Sequence, residues 1–183
     1  MQRLPDEMML ETFKSKVLPL KNKLFRYAFS ILEDHELSKD VVQETLIKVW
    51  EKRSDLEMIK KPEAWCMTLT RNFALDKFRS KHSKSISLSK AHDIENMELT
   101  PYHKAEMGDT MDIVERLISQ LPEKQRETFQ LREVEGLSYR EISKITGYNL
   151  NDVKVSIFRS RKSIRTLLLK LQKHGLEKST SAS

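Results

Sequence analysis

The stretch from Leu137 to Lys162 constrains the fold more than any other part of the chain. Ser138 and Glu141 stand three residues apart, the spacing at which a serine hydroxyl and a glutamate carboxylate each take up a free N–H at a helix start, and Ile142 and Ile145 follow at helical spacing. Gly147 ends that helix, because glycine enters the left-handed region without a Cβ clash. Asn149 then caps a second helix, with Asp152 in its first turn facing the positive end of the helix dipole. Two helices joined by a tight turn make a helix-turn-helix. In the second helix Leu150, Val153, Ile157, Ile164, Leu168 and Leu171 form a stripe expected to be buried. Lys154, Arg159, Arg161, Lys162 and Arg165 surround Phe158 on the other side, a cationic rod of the kind that enters a major groove.

The rest of the composition agrees with a polyanionic partner. The chain of 183 residues carries a formal net charge of +6 and an isoelectric point near 9.3, with the basic residues gathered in the second half of each of two apolar-periodic regions. No apolar run approaches the ~20 residues of a membrane span, and acids stand near the N-terminus where a signal peptide would be basic. A cytoplasmic protein without membrane insertion is expected. Few glycines and abundant Leu, Lys and Glu indicate an all-α fold, and a gap in periodicity near the middle predicts two small helical domains with two cores. The single cysteine, Cys66, lies in an apolar helical pattern and reads as a core residue.

Taken in order, the apolar residues from Leu10 to Ile31 keep helical spacing, interrupted at Pro19, which predicts two helices or one kinked helix. A helix from about Leu37 to Lys52 is entered through Ser38, with Val42, Leu46, Val49 and Trp50 inward and Asp40, Gln43, Glu44 and Lys48 outward. Ser54 to Lys61 has no clear period and reads as a loop ended by Pro62, which suits the first turn of a new helix. That helix, Glu63 to about Lys81, turns Trp65, Met67, Leu69, Phe73, Ala74 and Phe78 inward, and Arg71, Asn72, Asp76, Arg79 and Lys81 outward. The predicted domains are residues 1–82 and 111–173, joined by a flexible linker, 83–110, and followed by a disordered tail, 174–183. Ile113, Val114, Leu117 and Ile118 open the second domain, and a helix from Glu123 to Glu135 precedes the helix-turn-helix.

Three segments carry a resemblance. They are Asp40-Val-Val-Gln-Glu-Thr-Leu-Ile-Lys-Val-Trp50, Pro62-Glu-Ala-Trp-Cys-Met-Thr-Leu-Thr-Arg-Asn-Phe-Ala-Leu-Asp-Lys-Phe-Arg79, and Leu121-Pro-Glu-Lys-Gln-Arg-Glu-Thr-Phe129 through Arg161. In order, spacing and separating linker the chain resembles the bacterial RNA polymerase sigma factors of the extracytoplasmic-function type, from Leu10 to Gln172. The resemblance implies a transcription initiation factor that binds core RNA polymerase, directs it to promoters, helps melt the minus-ten element, and is controlled by an anti-sigma factor. It places Asp40, Gln43, Glu44 and Trp50 on the clamp coiled coil of the polymerase. It places Lys60, Lys61, Arg71, Asn72, Asp76 and Arg79 against the minus-ten element, including the melted non-template strand, with a flipped base in the loop before Pro62. Asn149, Lys154, Val155, Phe158, Arg159, Arg161 and Lys162 fall on the minus-thirty-five element. Ile157-Phe-Arg-Ser-Arg161 closely fits the family pattern, whereas Val155 and Ser156 stand where relatives often carry Ser and Arg. An apolar Val155 can meet a thymine methyl but donates no hydrogen bond.

Two other classes fit less of the chain. A free-standing repressor or activator would account for the helix-turn-helix and leave the first domain without a role. A resolvase or nuclease needs a nucleophilic serine or clustered carboxylates, and Asp76, Asp93 and Glu95 have no metal-ligand spacing. His92 and His103, near acids of the linker, read as adventitious, so neither an enzymatic activity nor a metal or other cofactor is expected.

Overall fold

The computed structural model describes residues 6–88 and 116–180, with side chains over 6–81 and 116–170. The linker histidines His92 and His103, the apolar pair Ile113 and Val114, and most of 83–110 lie outside the described residues.

The described elements are helical. Helix α1 spans Asp6–Lys16, and a 3₁₀ turn at Leu18–Leu20, holding Pro19, separates it from α2, Lys21–Leu32. Two helices therefore replace a kinked one, because proline can neither donate to the turn before it nor pass its ring through a helix interior. Helix α3 runs His35–Glu51, and Asp34, not Ser38, caps it: the Asp34 carboxylate accepts the Leu37 N–H at 3.1 Å. Ser38 is buried and donates back to the Asp34 carbonyl at 2.6 Å. The carboxylate at the turn wins because Glu33 before it takes the left-handed conformation, φ 49°, and reverses the chain there.

The segment read as a loop contains a 3₁₀ turn, Arg53–Asp55, and is pinned by fully buried Leu56. Glu57 accepts from Thr12 of α1 at 2.7 Å. Helix α4, Pro62–Leu88, continues past Lys81 into the first residues assigned to the linker. No glycine or proline interrupts 82–88, and extending a formed helix fixes one residue per added hydrogen bond.

After a helical turn at 116–119 come α5, Glu123–Phe129, a π-helical turn at Gln130–Val134, α6, Tyr139–Thr146, and α7, Leu150–Thr180. The backbone of α7 stays helical through 174–180, which the sequence pattern assigned to a disordered tail. Its Leu168, which the spacing places in the buried stripe, is exposed, at 41%. Leu10 of α1 is exposed as well.

Buried residues of α2, α3 and α4 surround Tyr27, Leu24 and Met67, and those of α5, α6 and α7 surround Leu131, Ile142 and Ile157. The two sets join into one apolar cluster instead of two separate cores. Burial at about 25 cal/mol per Å² of apolar surface makes such a seam favourable wherever the two faces are complementary. Cys66 is fully buried in it, and burial pushes its thiol up to about 12.

Candidate nucleic-acid interface

The helix-turn-helix forms as its local chemistry requires. Ser138 Oγ accepts the Glu141 N–H, and Glu141 Oε2 accepts from the Ser138 backbone at 2.9 Å, closing the capping box. Gly147 takes φ 75° and its N–H returns to the Ser143 carbonyl. Ser143 donates to the Tyr148 carbonyl at 2.6 Å, Tyr148 donates its N–H to Thr146 Oγ1, and Asn149 Oδ1 receives the Asp152 N–H at 2.8 Å. These local bonds brace the turn and fix the angle between α6 and α7.

Val153, Ile157 and Ser160 face inward along α7, and Lys154, Val155, Phe158, Arg159, Arg161, Lys162 and Arg165 face solvent. Phe158 is 68% exposed and Val155 46%, an unusual placement for side chains that could have been buried and one that leaves them free to meet base edges. Lys154, Arg159, Lys162 and Arg165 make no ion pair with a described residue, whereas Arg161 pairs with Glu133 at 2.7 Å. Ser156 points the other way. Its hydroxyl lies 2.8 Å from that of buried Thr128 and donates to the Lys124 carbonyl, so this position joins α7 to α5 and faces away from the exposed side of the helix. Asp152 accepts from Lys124 at 2.8 Å, which lowers its carboxyl pKa and ties the start of α7 to the same helix.

On α4, Asn72, Asp76 and Arg79 are exposed, with Arg79 near Asp76 at 3.8 Å, and Lys60 and Lys61 are exposed ahead of the helix. Arg71 departs from the outward position that periodicity predicts. Its side chain is 15% exposed, and Nε donates to Glu127 of α5 at 2.7 Å. Burial alone would lower the Arg71 pKa, but the hydrogen bond and charge of Glu127 more than offset it and hold the guanidinium above its ordinary value. Glu127 also accepts from Tyr27 at 2.8 Å and from Tyr148 at 2.9 Å. Burial, with the charge of Glu127, raises the Tyr27 hydroxyl pKa well above its ordinary value and that of Tyr148 to about 12, so both remain donors at neutral pH. Lys61 likewise reaches across to Glu141 of α6.

On α3, Asp40 and Gln43 are exposed, and Glu44 accepts from Lys77 of α4 at 2.6 Å. Trp50 is not fully inward. It is 36% exposed, with its ring edge-on to Phe13 at 5.2 Å and Arg53 over it at 4.7 Å. One helical turn beyond Gln43 and Glu44 stands Ile47, 59% exposed, a position off the apolar stripe. Its signal was an isoleucine three and four residues from polar neighbours, off the apolar stripe. Met58, 65% exposed in the turn before α4, was missed for lack of any period there.

Comparison with known proteins agrees with this arrangement. Residues 17–84 match Sigma-70 region 2, and residues 111–164 match Sigma-70, region 4. The chain is 31% identical over 153 residues to the RNA polymerase sigma factor SigV of Bacillus subtilis, covering 82% of this chain and 87% of that one. It is 26% identical over 149 residues to the ECF RNA polymerase sigma factor SigM of the same organism, covering 80% and 88%. Among solved structures, the sigma factor RpoE of Bartonella quintana, in complex with the anti-sigma factor NepR, superposes with a TM-score of 0.68 at 29% identity, over 85% of this chain and 96% of that one. With a region 2 built on α2 to α4, a region 4 built on α5 to α7, and relatives of this likeness along most of its length, the chain belongs to the extracytoplasmic-function sigma factors of bacterial RNA polymerase.

Proposed function

We propose that this sigma factor reads its promoter with two separate faces and docks on polymerase with a third. The α7 face around Lys154, Val155, Phe158 and Arg159, with Asn149, Arg161 and Lys162 at its margins, takes the minus-thirty-five duplex. The exposed aromatic flanked by unpaired cations carries this reading, because phosphate neutralisation and base contact need both at once. Lys60, Lys61, Arg71, Asn72, Asp76 and Arg79, with Met58 beside them, take the minus-ten element and its melted strand. No catalytic group is needed: extruded bases are held by stacking and pocket contacts, and binding energy drives the opening.

Asp40, Gln43, Ile47, Glu44 and Trp50 form the polymerase face, an apolar centre ringed by acid and amide. Control by an anti-sigma factor is inferred from the solved relative, whose crystals contain one. Among the described residues no helix is long and apolar enough to cross a membrane, and action in the cytoplasm, as a binding protein and not an enzyme, follows from the role.

The test is reconstitution. Purified protein is added to core polymerase with a genomic promoter library, and transcript starts are sequenced. Transcripts sharing two upstream elements support the reading, and duplex binding without transcription would make the protein a free-standing regulator. Asp40→Lys should weaken polymerase binding by several kcal/mol through an opposed or desolvated charge, while leaving melting temperature and duplex binding intact. Glu44→Lys is a poorer probe, since it would also face Lys77.

A further inference from the structure

We infer that a cleft beside α2 is a binding site for a small uncharged aromatic molecule, one ring in size, that carries a hydrogen-bond acceptor. The cleft uses no residue of the two promoter faces or of the polymerase face. Phe25 and Phe29 of α2, four positions apart and so on one side of the helix, line it together with His35 at the start of α3. The two phenyl rings lie 14° from parallel with centroids 6.3 Å apart, and the His35 ring tilts against them at 5.7 and 4.7 Å. Ile118, Arg126 and Val134 complete the lining from the other half of the chain.

Size and chemistry select the occupant. The cleft holds about 170 Å³, and an apolar cavity of ~150 Å³ takes one benzene ring. Phe25 and Phe29 are only partly buried, so apolar surface remains for a ligand to cover, and a ring set against theirs gains offset or edge-on contact. Charge argues against an ion. Arg26, also at the cleft, gives its fork to Glu135 at 3.0 and 2.7 Å. Arg126 pairs with Glu33 and donates to the Ser119 carbonyl at 3.3 Å. Each guanidinium already has its acid, so an entering carboxylate or ammonium brings a charge with no unpaired counterpart. One polar group stays open: Arg126 Nε is buried and has no hydrogen-bond partner among the described residues. A buried donor without an acceptor is costly, and a ketone, ether or hydroxyl oxygen on the ligand supplies one.

The experiment titrates the full-length protein with three probes, followed by calorimetry and by ligand-observed NMR. Acetophenone has a carbonyl acceptor, isopropenylbenzene replaces that oxygen by a methylene group of the same shape, and benzoate adds a charge. Acetophenone should bind saturably, one molecule per chain, and raise the melting temperature as its concentration rises. Benzoate should bind about tenfold more weakly or worse. Arg126→Met keeps the apolar stem and removes the donor, and should weaken acetophenone binding about fivefold while leaving that of isopropenylbenzene unchanged. If Arg126→Met does not fold, Arg126→Lys, which keeps a charge for Glu33 but has no N–H at the Nε position, should give the same loss.

Val134→Phe puts a ring of the protein's own at the cleft, and Val134 is 38% exposed, so the core need not repack around it. This variant should lose acetophenone binding while melting, without ligand, at the wild-type temperature; if it does not fold, Ser30→Phe, also at the lining, takes its place. Absence of saturable acetophenone binding to the wild-type protein would overturn the inference, as would binding that survives the filling of the cleft. Benzoate binding as tight as that of acetophenone, or an equal change for acetophenone and isopropenylbenzene in the Arg126 variant, would overturn the assignment of an uncharged acceptor.

Discussion

The cations of α4 and those of α7 differ in whether they are already spoken for. On α4 and the turn before it, Lys61, Arg71, Lys77, Arg79 and Lys81 each face an acid: Glu141, Glu127, Glu44, Asp76 and Asp34. On α7, Lys154, Arg159, Lys162 and Arg165 have no described acid partner, and among the described cations of that face Arg161 alone is paired, with Glu133. Two faces of similar sequence charge therefore present different fields. A face that must find duplex DNA by long-range attraction gains from unpaired cations, which steer encounter and release counterions on binding. A face that meets a strand only after melting can hold its cations in reserve.

The comparison breaks first at Glu127. Truncation to Ala would leave the Arg71 charge and two tyrosine hydroxyls without their acceptor in a nearly closed site. Removing one partner of a buried pair costs about 3–5 kcal/mol, and the Glu127→Ala protein should lose that much stability in urea unfolding. A loss no greater than that of a surface substitution would mean that α4 is as free of its acids as α7.

Much of α7 was legible because its determinants are local. The capping box, the left-handed Gly147 and the Asn149 cap lie within a few residues of the atoms they serve, so residue order alone specifies them. Arg71 was placed outward by the same periodicity, and wrongly, because its acceptor lies 56 positions away, across the linker. No local rule pairs them. Ser156 was read as a departure on the DNA face, yet it faces Thr128, a contact that needs the angle between α5 and α7. Ser38 looked like a helix start on residue type, but the chain reversal at Glu33 gave that role to Asp34.

A sharper contrast lies within α7 itself. Arg159 is exposed and unpaired, while Arg161 must leave Glu133 before it can reach DNA. Arg159→Ala should cost about 1–3 kcal/mol of duplex affinity and relax preference at one base pair if it reads a base edge, as measured by binding across mutated sites. Arg161→Ala should cost less, and evenly across sequences, because the wild-type residue gives up an ion pair to bind. Equal costs would show that the Glu133 pair is without weight in solution.

The smallest effect concerns Glu141, which belongs to both regions, capping α6 and holding Lys61. Its hydrogen bond from Lys61, then those from Ser138, bring the carboxyl pKa down from 4.5 to about 2. A group depressed in the folded state stabilises fully above its unfolded pKa, and the contribution disappears as pH falls through the folded value. Glu141→Gln can still close the capping box, since glutamine accepts the same backbone N–H, but it cannot hold a charge against Lys61. The wild-type advantage in melting temperature should therefore be constant above pH 4.5 and fade between there and about pH 2. Lys61 is 66% exposed, so the advantage should be worth no more than about 1 kcal/mol and shrink in high salt. The other acids with lowered pKa values, Asp34, Glu57 and Asp152, titrate in both proteins and cancel in the difference. An advantage that persists unchanged at pH 2 would assign the role of Glu141 wholly to the cap, and would leave Lys61 as free for DNA as the cations of α7.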